Sequence, residues 1–322
     1  MTETIAFLDP LSDVTVARLT ALLPPGFVLS RVTSHDPGER LAVIAEAEYA
    51  ISGDVAVDEA MLRAATRLKL LHKWGVGIDN FALDAARALG IKVARTTASN
   101  AVPVAEFTVG LMLAAQRRIA QGHAGLREGR WLKSVISGES AMLSGKTVGI
   151  VGLGAIGKNV ARMVQGFGCR VLYTKPTPLA SEEAQALAVE HRSLPDLLAE
   201  ADIVSLHCPL TAATRGMIAR PQFEAMRRSA ILVNVSRGGV VVEPDLIWAL
   251  EQRLIRGAAT DVFDTEPVPP DNPLLHMANV VVTPHCGAVN TDTFEPNVTR
   301  MYRNIEHVAR GEPVPAFDSV VG

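Results

Sequence analysis

The run Thr147-Val-Gly-Ile-Val151, followed by Gly152-Leu-Gly154-Ala-Ile-Gly157 and Lys158-Asn-Val-Ala-Arg-Met-Val-Gln165, constrains the fold more than any other stretch of the chain. A short apolar run predicts a strand, the glycines predict a tight turn, and the residues after them predict a helix. In that order each glycine has a mechanical reason. Gly152 permits the turn, Gly154 leaves room for a phosphate to approach the backbone, and Gly157 lets the helix pack closely on the strand. The N–H groups at the helix start, those of Ala155 and Ile156 among them, then face an anion. The expected ligand is the pyrophosphate of a nicotinamide dinucleotide. A glycine-rich turn without a ligand would need no such strand and helix in register.

In an NAD-binding unit an acid usually follows the second strand and bonds the ribose hydroxyls. Here the second strand reads Cys169-Arg-Val-Leu-Tyr173-Thr174-Lys175-Pro176, with no acid. Lys175 takes the expected place and Thr174 stands beside it. A cation and a hydroxyl suit a 2′-phosphate, so the expected cofactor is NADP, with NAD as the alternative if Lys175 only faces solvent.

The 322 residues suggest two domains, and 48% hydrophobic residues supply ample core. A net charge of -3 argues against nucleic acid or an anionic membrane as partner. Cys169, Cys208 and Cys286 form neither a disulfide framework nor a CxxC pair, and the acidic start MTETIAFLDPLSD does not read as a signal peptide, so a reducing, cytoplasmic location is expected. The longest apolar stretch is too short to span a bilayer, which needs about 20 residues. No histidine or cysteine spacing suggests a metal site.

Apolar runs alternate with helix-like segments, the rhythm of an α/β fold with doubly wound parallel sheets. Strands are predicted at Thr4–Asp9, Phe27–Val32, Tyr49–Ser52, Lys69–Trp74 and Ile91–Arg95, with helices such as Val14–Leu22 and Asp58–Ala65 between them. A long helix is predicted from Val104 to Gln121, then a looser connection from His123 to Ser144. A second series follows at Thr147–Val151, Arg170–Tyr173, Ile203–His207, Ala230–Val235, Gly257–Asp261 and Val280–Thr283, rich in Val, Ile and Ala as strands buried on both faces are. The last helix, Thr291–Arg310, has no strand of its own in that series and is expected to return to the first domain.

Three of the later strands end in polar sequences: Asn234-Val-Ser-Arg237-Gly238-Gly239, Asp261-Val-Phe-Asp-Thr-Glu266-Pro267 and Thr283-Pro284-His285-Cys286-Gly287. The carboxyl edge of a parallel sheet is where ligands bind. Arg237 can hold a substrate carboxylate by two hydrogen bonds and polarise a neighbouring carbonyl. His285 can exchange a proton with the substrate oxygen near neutral pH. Glu266 can orient the imidazole and raise its pKa. Hydride transfer to a carbonyl needs these three functions. Cys286 adjoins His285, but adjacent side chains diverge, which disfavours a Cys–His nucleophile.

With these segments in this order, the chain resembles the D-isomer-specific 2-hydroxyacid dehydrogenases, a family that includes D-3-phosphoglycerate dehydrogenase, glyoxylate/hydroxypyruvate reductase and D-lactate dehydrogenase. The resemblance spans Lys69 to Gly311 and includes Gly75-Val-Gly-Ile-Asp79-Asn80, Asn100 to Glu106, Gly129-Arg-Trp131, the glycine turn, His207-Cys-Pro209 and the Arg237, Glu266 and His285 segments. It implies two Rossmann-like domains with the active site in the cleft between them: a substrate-binding domain of residues 1–100 plus 286–322 and an NAD(P)-binding domain of residues 101–285. It implies cofactor contacts at Gly152, Gly154, Ala155, Ile156, Gly157, Thr174, Lys175, Cys208, Pro209, Thr214, Val235, Arg237, Asp261 and His285, with Asp261 holding the nicotinamide carboxamide. It implies substrate contacts at Lys73, Val76, Gly77, Asn100, Arg237 and His285, with the N–H groups of Val76 and Gly77 on the carboxylate. Lys73 stands where phosphoglycerate-type members carry a basic residue, whereas the bulky Trp74 beside it departs from the small residues common there. Lys175 is the other departure, since NAD-dependent members usually carry Asp. The implied activity is reversible hydride transfer between NAD(P)H and a small 2-oxo or D-2-hydroxy acid, by a homodimer formed through the Phe107–Ala115 helix and the 123–144 arm. A cofactor-sensing corepressor with weak catalysis is the competing class. A formate-type enzyme is disfavoured by Glu266, which such members replace with Gln.

Overall fold

The computed structural model describes residues 2–322. In chain order the first elements are β1 (Glu3–Phe7), α1 (Asp13–Ala21), β2 (Phe27–Arg31), α2 (Pro37–Ala45), β3 (Tyr49–Ser52), α3 (Glu59–Ala64), β4 (Leu70–Lys73), α4 (Leu83–Ala88) and β5 (Lys92–Arg95). Three of these helices start where a side chain can accept a helix N–H. Ser12 accepts from Thr15, Asp36 from Glu39 with Pro37 behind it, and Asp58 from Met61.

Next come α5 (Ala101–Arg117), α6 (Ile119–Arg127), α7 (Lys133–Glu139), β6 (Thr147–Val151), α8 (Ala155–Gln165), β7 (Arg170–Thr174), α9 (Ser181–Ala186), β8 (Val189–His191), α10 (Leu194–Glu200), β9 (Ile203–Leu206), α11 (Arg220–Ala225), β10 (Ile231–Asn234), α12 (Glu243–Glu251), β11 (Gly257–Thr260) and β12 (Val280–Val282). The chain closes with α13 (Phe294–Ala309) and β13 (Ser319–Val321).

Two compact units result. One comprises the chain up to Asn100 together with Asn290–Gly322, the other Ala101–Val289. In the first, the strand order is β13-β5-β4-β3-β1-β2. Five strands are parallel in the order 2-1-3-4-5, a doubly wound sheet whose direction reverses between β1 and β3. The unpredicted β13 adds an antiparallel edge against β5. Helix α13 lies on this sheet, its Val298, Met301, Tyr302 and Ile305 packed with Ile5, Phe7, Leu19 and Leu70.

The second unit has a parallel sheet in the order β12-β11-β10-β9-β6-β7-β8, which reverses between β6 and β9. This is the Rossmann order with one added edge strand. Its α5 packs Ala105, Val109, Met112 and Ala115 in one core cluster with Val160, Ala161 and Val164 of α8.

Three expectations need correction. The predicted 104–121 helix is two helices, because Arg118 adopts φ +54° and breaks the hydrogen-bond ladder. The 123–144 connection holds part of α6 and all of α7. Glycine there is a packing residue: a Cβ on Gly125 would lie 2.4 Å from Leu132 Cδ1. The unit boundary expected at 285/286 falls at 289/290, because the N–H groups of Cys286 and Gly287 donate to the Asp261 carboxylate at 3.0 and 2.8 Å.

Candidate active site

The glycine turn stands at the point in the second sheet where the strand order reverses. Gly152 adopts φ +96°, and a Cβ there would lie 2.6 Å from the Cys208 nitrogen, so the first turn is pressed against the chain leaving β9. A Cβ on Gly157 would lie 2.6 Å from the Gly152 carbonyl, so α8 starts as close to the turn as backbone allows. Gly154 differs from both. It is the N-cap of α8, no side chain caps that helix, and nothing lies within 4 Å of where its Cβ would be. Open approach and uncapped N–H donors suit a pyrophosphate.

Beyond the turn, Thr174 ends β7 and the half-buried Lys175 follows it. Lys158, in the first turn of α8, bonds Glu183 of α9 at 2.5 Å. That bond holds the Glu183 carboxyl below its usual pKa, and the nearby Lys175 charge acts in the same direction. A small cluster of two lysines and one carboxylate therefore sits beside the end of β7. On the chain leaving β9, Thr214 Oγ1 donates to the Pro209 carbonyl at 2.6 Å and fixes the loop after Cys208. Val235 is half-buried just after β10.

The three polar strand ends are shaped by buried neighbours. Asn234 turns the chain after β10: its amide donates to the Arg237 carbonyl at 3.0 Å and its carbonyl accepts the Ser236 N–H at 3.0 Å. Gly238 then lies so close to the next segment that a Cβ would sit 2.0 Å from the Phe263 carbonyl oxygen. Only glycine lets the Arg237 segment rest on the Phe263–Glu266 segment. Neither residue was picked out by sequence reasoning for this role. The Arg-Gly-Gly run was the signal for Gly238.

Asp261 organises the third strand end. Its carboxylate accepts the Thr283 hydroxyl at 2.6 Å and the N–H groups of Cys286 and Gly287, and its carbonyl accepts the His285 N–H at 2.8 Å. Its buried carboxylate thus fixes the turn that carries His285, which is held at φ +50°. His285 Nδ1 meets Glu266 Oε2 at 2.6 Å, and Glu266 Oε1 accepts the Phe263 N–H at 2.9 Å. A carboxylate can only accept, so Nδ1 carries the proton in this pair. Burial would raise the Glu266 pKa, but the hydrogen bonds from His285 and Phe263 outweigh it, and the charges of His285 and Arg237 add to them, so the carboxyl stays below its usual range. Arg237, which also donates to the Ser236 carbonyl at 2.9 Å, is therefore close enough to act on Glu266. Arg237, Glu266 and His285 thus come together in one unit.

Lys73, Val76, Gly77 and Asn100 belong to the other unit. Lys73 is only 6% exposed at the end of β4. Its ammonium donates to the Gly53 carbonyl and, at 3.0 Å, to Asn80 Oδ1, and lies 5.4 Å from the Phe81 ring centre. Val76 and Gly77 form the half-buried loop after β4, and Arg95 donates to the Val76 carbonyl at 3.2 Å. Asn100 is half-buried immediately before α5. The role of Arg95 in holding the Val76 loop has no signal in the sequence, because it depends on β4 and β5 being neighbours.

Residues 109–287 match the model of the D-isomer specific 2-hydroxyacid dehydrogenase, NAD binding domain. A glyoxylate reductase of Korarchaeum cryptofilum is 40% identical over 263 residues, covering 80% of this chain and 78% of its own. A D-3-phosphoglycerate dehydrogenase of Mycobacterium bovis is 39% identical over 292 residues, covering 90% of this chain and 54% of its own. The chain thus spans about half the length of the D-3-phosphoglycerate dehydrogenase it matches. The crystal structure of a Thermus thermophilus protein superposes with a TM-score of 0.86 at 33% identity, covering 99% of this chain and 100% of that one. With the glycine turn at the switch point, the matched domain and relatives of this similarity, the chain belongs to the D-isomer-specific 2-hydroxyacid dehydrogenase family.

Proposed function

We propose that the chain catalyses hydride transfer between a nicotinamide dinucleotide and a small 2-oxo or D-2-hydroxy acid. The bound cofactor supplies or takes the hydride. Gly152 to Gly157 hold its pyrophosphate through backbone N–H groups, and Thr174 and Lys175 meet the ribose end. The observation that carries the reading is the 2.6 Å bond from His285 Nδ1 to a Glu266 carboxylate that stays ionised. With Nδ1 committed to Glu266, the proton exchanged with the substrate oxygen is the one on Nε2. The carboxylate stabilises the imidazolium and fixes its plane. Arg237 binds the substrate carboxylate and draws charge from the reacting carbonyl. Val76 and Gly77 N–H groups, and Asn100, contribute to holding the acid.

We infer NADP over NAD because Thr174 and Lys175 replace the usual acid after the second strand, and because Lys158 adds a second cation nearby. Four apolar side chains on the 123–144 arm are exposed: Leu126 61%, Trp131 78%, Val135 47% and Met142 67%. They support a homodimer formed through this arm. A panel of 2-oxo acids assayed with NADH and with NADPH tests the reading. Turnover of at least one acid, faster with NADPH, is expected. Turnover of none removes the dehydrogenase assignment, and a clear preference for NADH removes the NADP one.

A further inference from the structure

In the first sheet the strand order reverses between β1 and β3, the place where an open α/β sheet offers its ligand crevice. Here that place is filled by the chain itself. The Asp9 carboxylate, just after β1, accepts the N–H of Gly53 at 2.5 Å, of Asp54 at 2.8 Å and of Val55 at 3.0 Å, all in the loop after β3. Three converging backbone donors are an anion cradle, and Asp9 occupies it. The same loop is gripped through its carbonyls. Lys73 donates to Gly53 O, Asn80 Nδ2 donates to Val55 O at 2.8 Å, and Lys73 and Asn80 bond each other. Ser52 Oγ adds a bond to Val55 O at 2.7 Å.

Beside this loop, Trp74 is wedged between Phe7 and Phe294, ring centres 5.8 and 5.9 Å away, and Arg18 covers Phe294 at 3.7 Å. The indole is a fixed apolar wall. The carboxyl ends of this sheet's strands and the segments leaving them carry Asp9, Asp36, Asp54, Asp58 and Asp79 together with Arg31, Lys73 and Arg95, and Arg31 is paired with Asp13. Lys73 and Arg95 are both directed at backbone carbonyls of these loops.

Taking the dehydrogenase reading as its basis, we propose that this rim selects short 2-oxo acids with uncharged side chains against their phosphate esters, with Lys73 acting as a positioning residue for the 52–55 loop. A phosphate dianion would meet a cradle already holding a carboxylate and a rim without excess positive charge. Like charges brought together at a binding surface cost several kcal/mol, enough for about 100-fold discrimination. Lys73 then matters through the loop it anchors.

Hydroxypyruvate and its 3-phosphate ester differ only by the phosphate, so the ratio of their kcat/KM values reads the rim directly. The unphosphorylated acid is expected to be favoured by about 100-fold or more, and equal or better use of the ester overturns the proposal. Lys73→Met should speed amide exchange at Gly53, Asp54 and Val55 and raise KM more than it lowers kcat, with partial rescue by Lys73→Arg. Unchanged exchange with selective loss of the ester would make Lys73 a substrate ligand and overturn its positioning role. If neither acid is reduced, the dehydrogenase reading stands or falls separately, on whether any other 2-oxo acid of the panel turns over. Titration calorimetry of the two acids then still decides for the rim: tighter binding of the ester contradicts it, and weaker binding supports it.

Discussion

The two units use related topologies and finish them in opposite ways. Each is a doubly wound parallel sheet with one point where the strand order reverses. In the second unit that point carries glycines, and Gly154 leaves open space before an uncapped helix N-terminus. In the first unit it carries Asp9, whose carboxylate takes three N–H donors of the neighbouring loop. Topology supplies a crevice in both. In one the crevice is left open at Gly154, and in the other the Asp9 carboxylate fills it. The fold therefore locates candidate sites, and local chemistry decides their use.

The comparison can be broken at several places. The largest effect is expected at the chemical end of the open unit. His285→Gln removes the exchangeable proton and should lower kcat by about 10²- to 10⁴-fold. Cofactor affinity, measured by fluorescence titration, should stay within a few-fold of wild type. A variant that keeps full turnover would place the proton transfer elsewhere.

Acidification reaches the closed unit through His72, which is fully buried between the Lys73 carbonyl and Asn304. Burial pushes its pKa down from 6.5 to about 4. As pH falls from 6.5 to 4, the unfolded chain takes a proton that the folded histidine refuses, so stability drops. The shift corresponds to roughly 3 kcal/mol once pH lies below both values. His207, in the open unit, is lowered to about 3 by burial and adds to the loss from that side. Denaturant unfolding at pH 7 and pH 4.5 should show the loss, whereas equal midpoints would contradict it.

Gly154→Val sharpens the contrast between glycines. No protein atom lies within 4 Å of the added Cβ, so the melting temperature should hold while cofactor affinity falls by about 10- to 100-fold, because the backbone can no longer approach the phosphates. The smallest effect belongs to Asp9→Ala. It leaves three loop donors without their carboxylate, with partial replacement by water, and should cost about 1–2 kcal/mol of stability. An unaltered melting temperature would mean that the closed crevice is not held by Asp9.

Most strands were legible because buried parallel strands read as runs of Val, Ile and Ala, and Tyr49–Ser52 and Thr147–Val151 match residue for residue. The edge strands β8 and β13 were not. Each has three residues and, unlike the equally short Val280–Val282, includes polar ones (Val-Glu-His and Ser-Val-Val), so neither stands out as an apolar run. The break at Arg118 was hidden because a left-handed arginine carries no glycine signature. Arg237, Glu266 and His285 were legible from their positions after strands in a fixed order. The support around them was not. The Gly238–Phe263 approach depends on β10 and β11 lying side by side, and strand order is invisible along the chain; the Asp9 cradle of the other unit was hidden for the same reason.

The central claim is hydride transfer at the open switch point. It is tested with NADH and NADPH, each deuterated at the reactive face of the nicotinamide ring and incubated with the best acid of the panel. Wild-type protein is expected to give a D-2-hydroxy acid carrying one deuterium at carbon 2, and His285→Gln to form it about 10²- to 10⁴-fold more slowly. Product without deuterium at carbon 2, or no product from any 2-oxo acid, would contradict it.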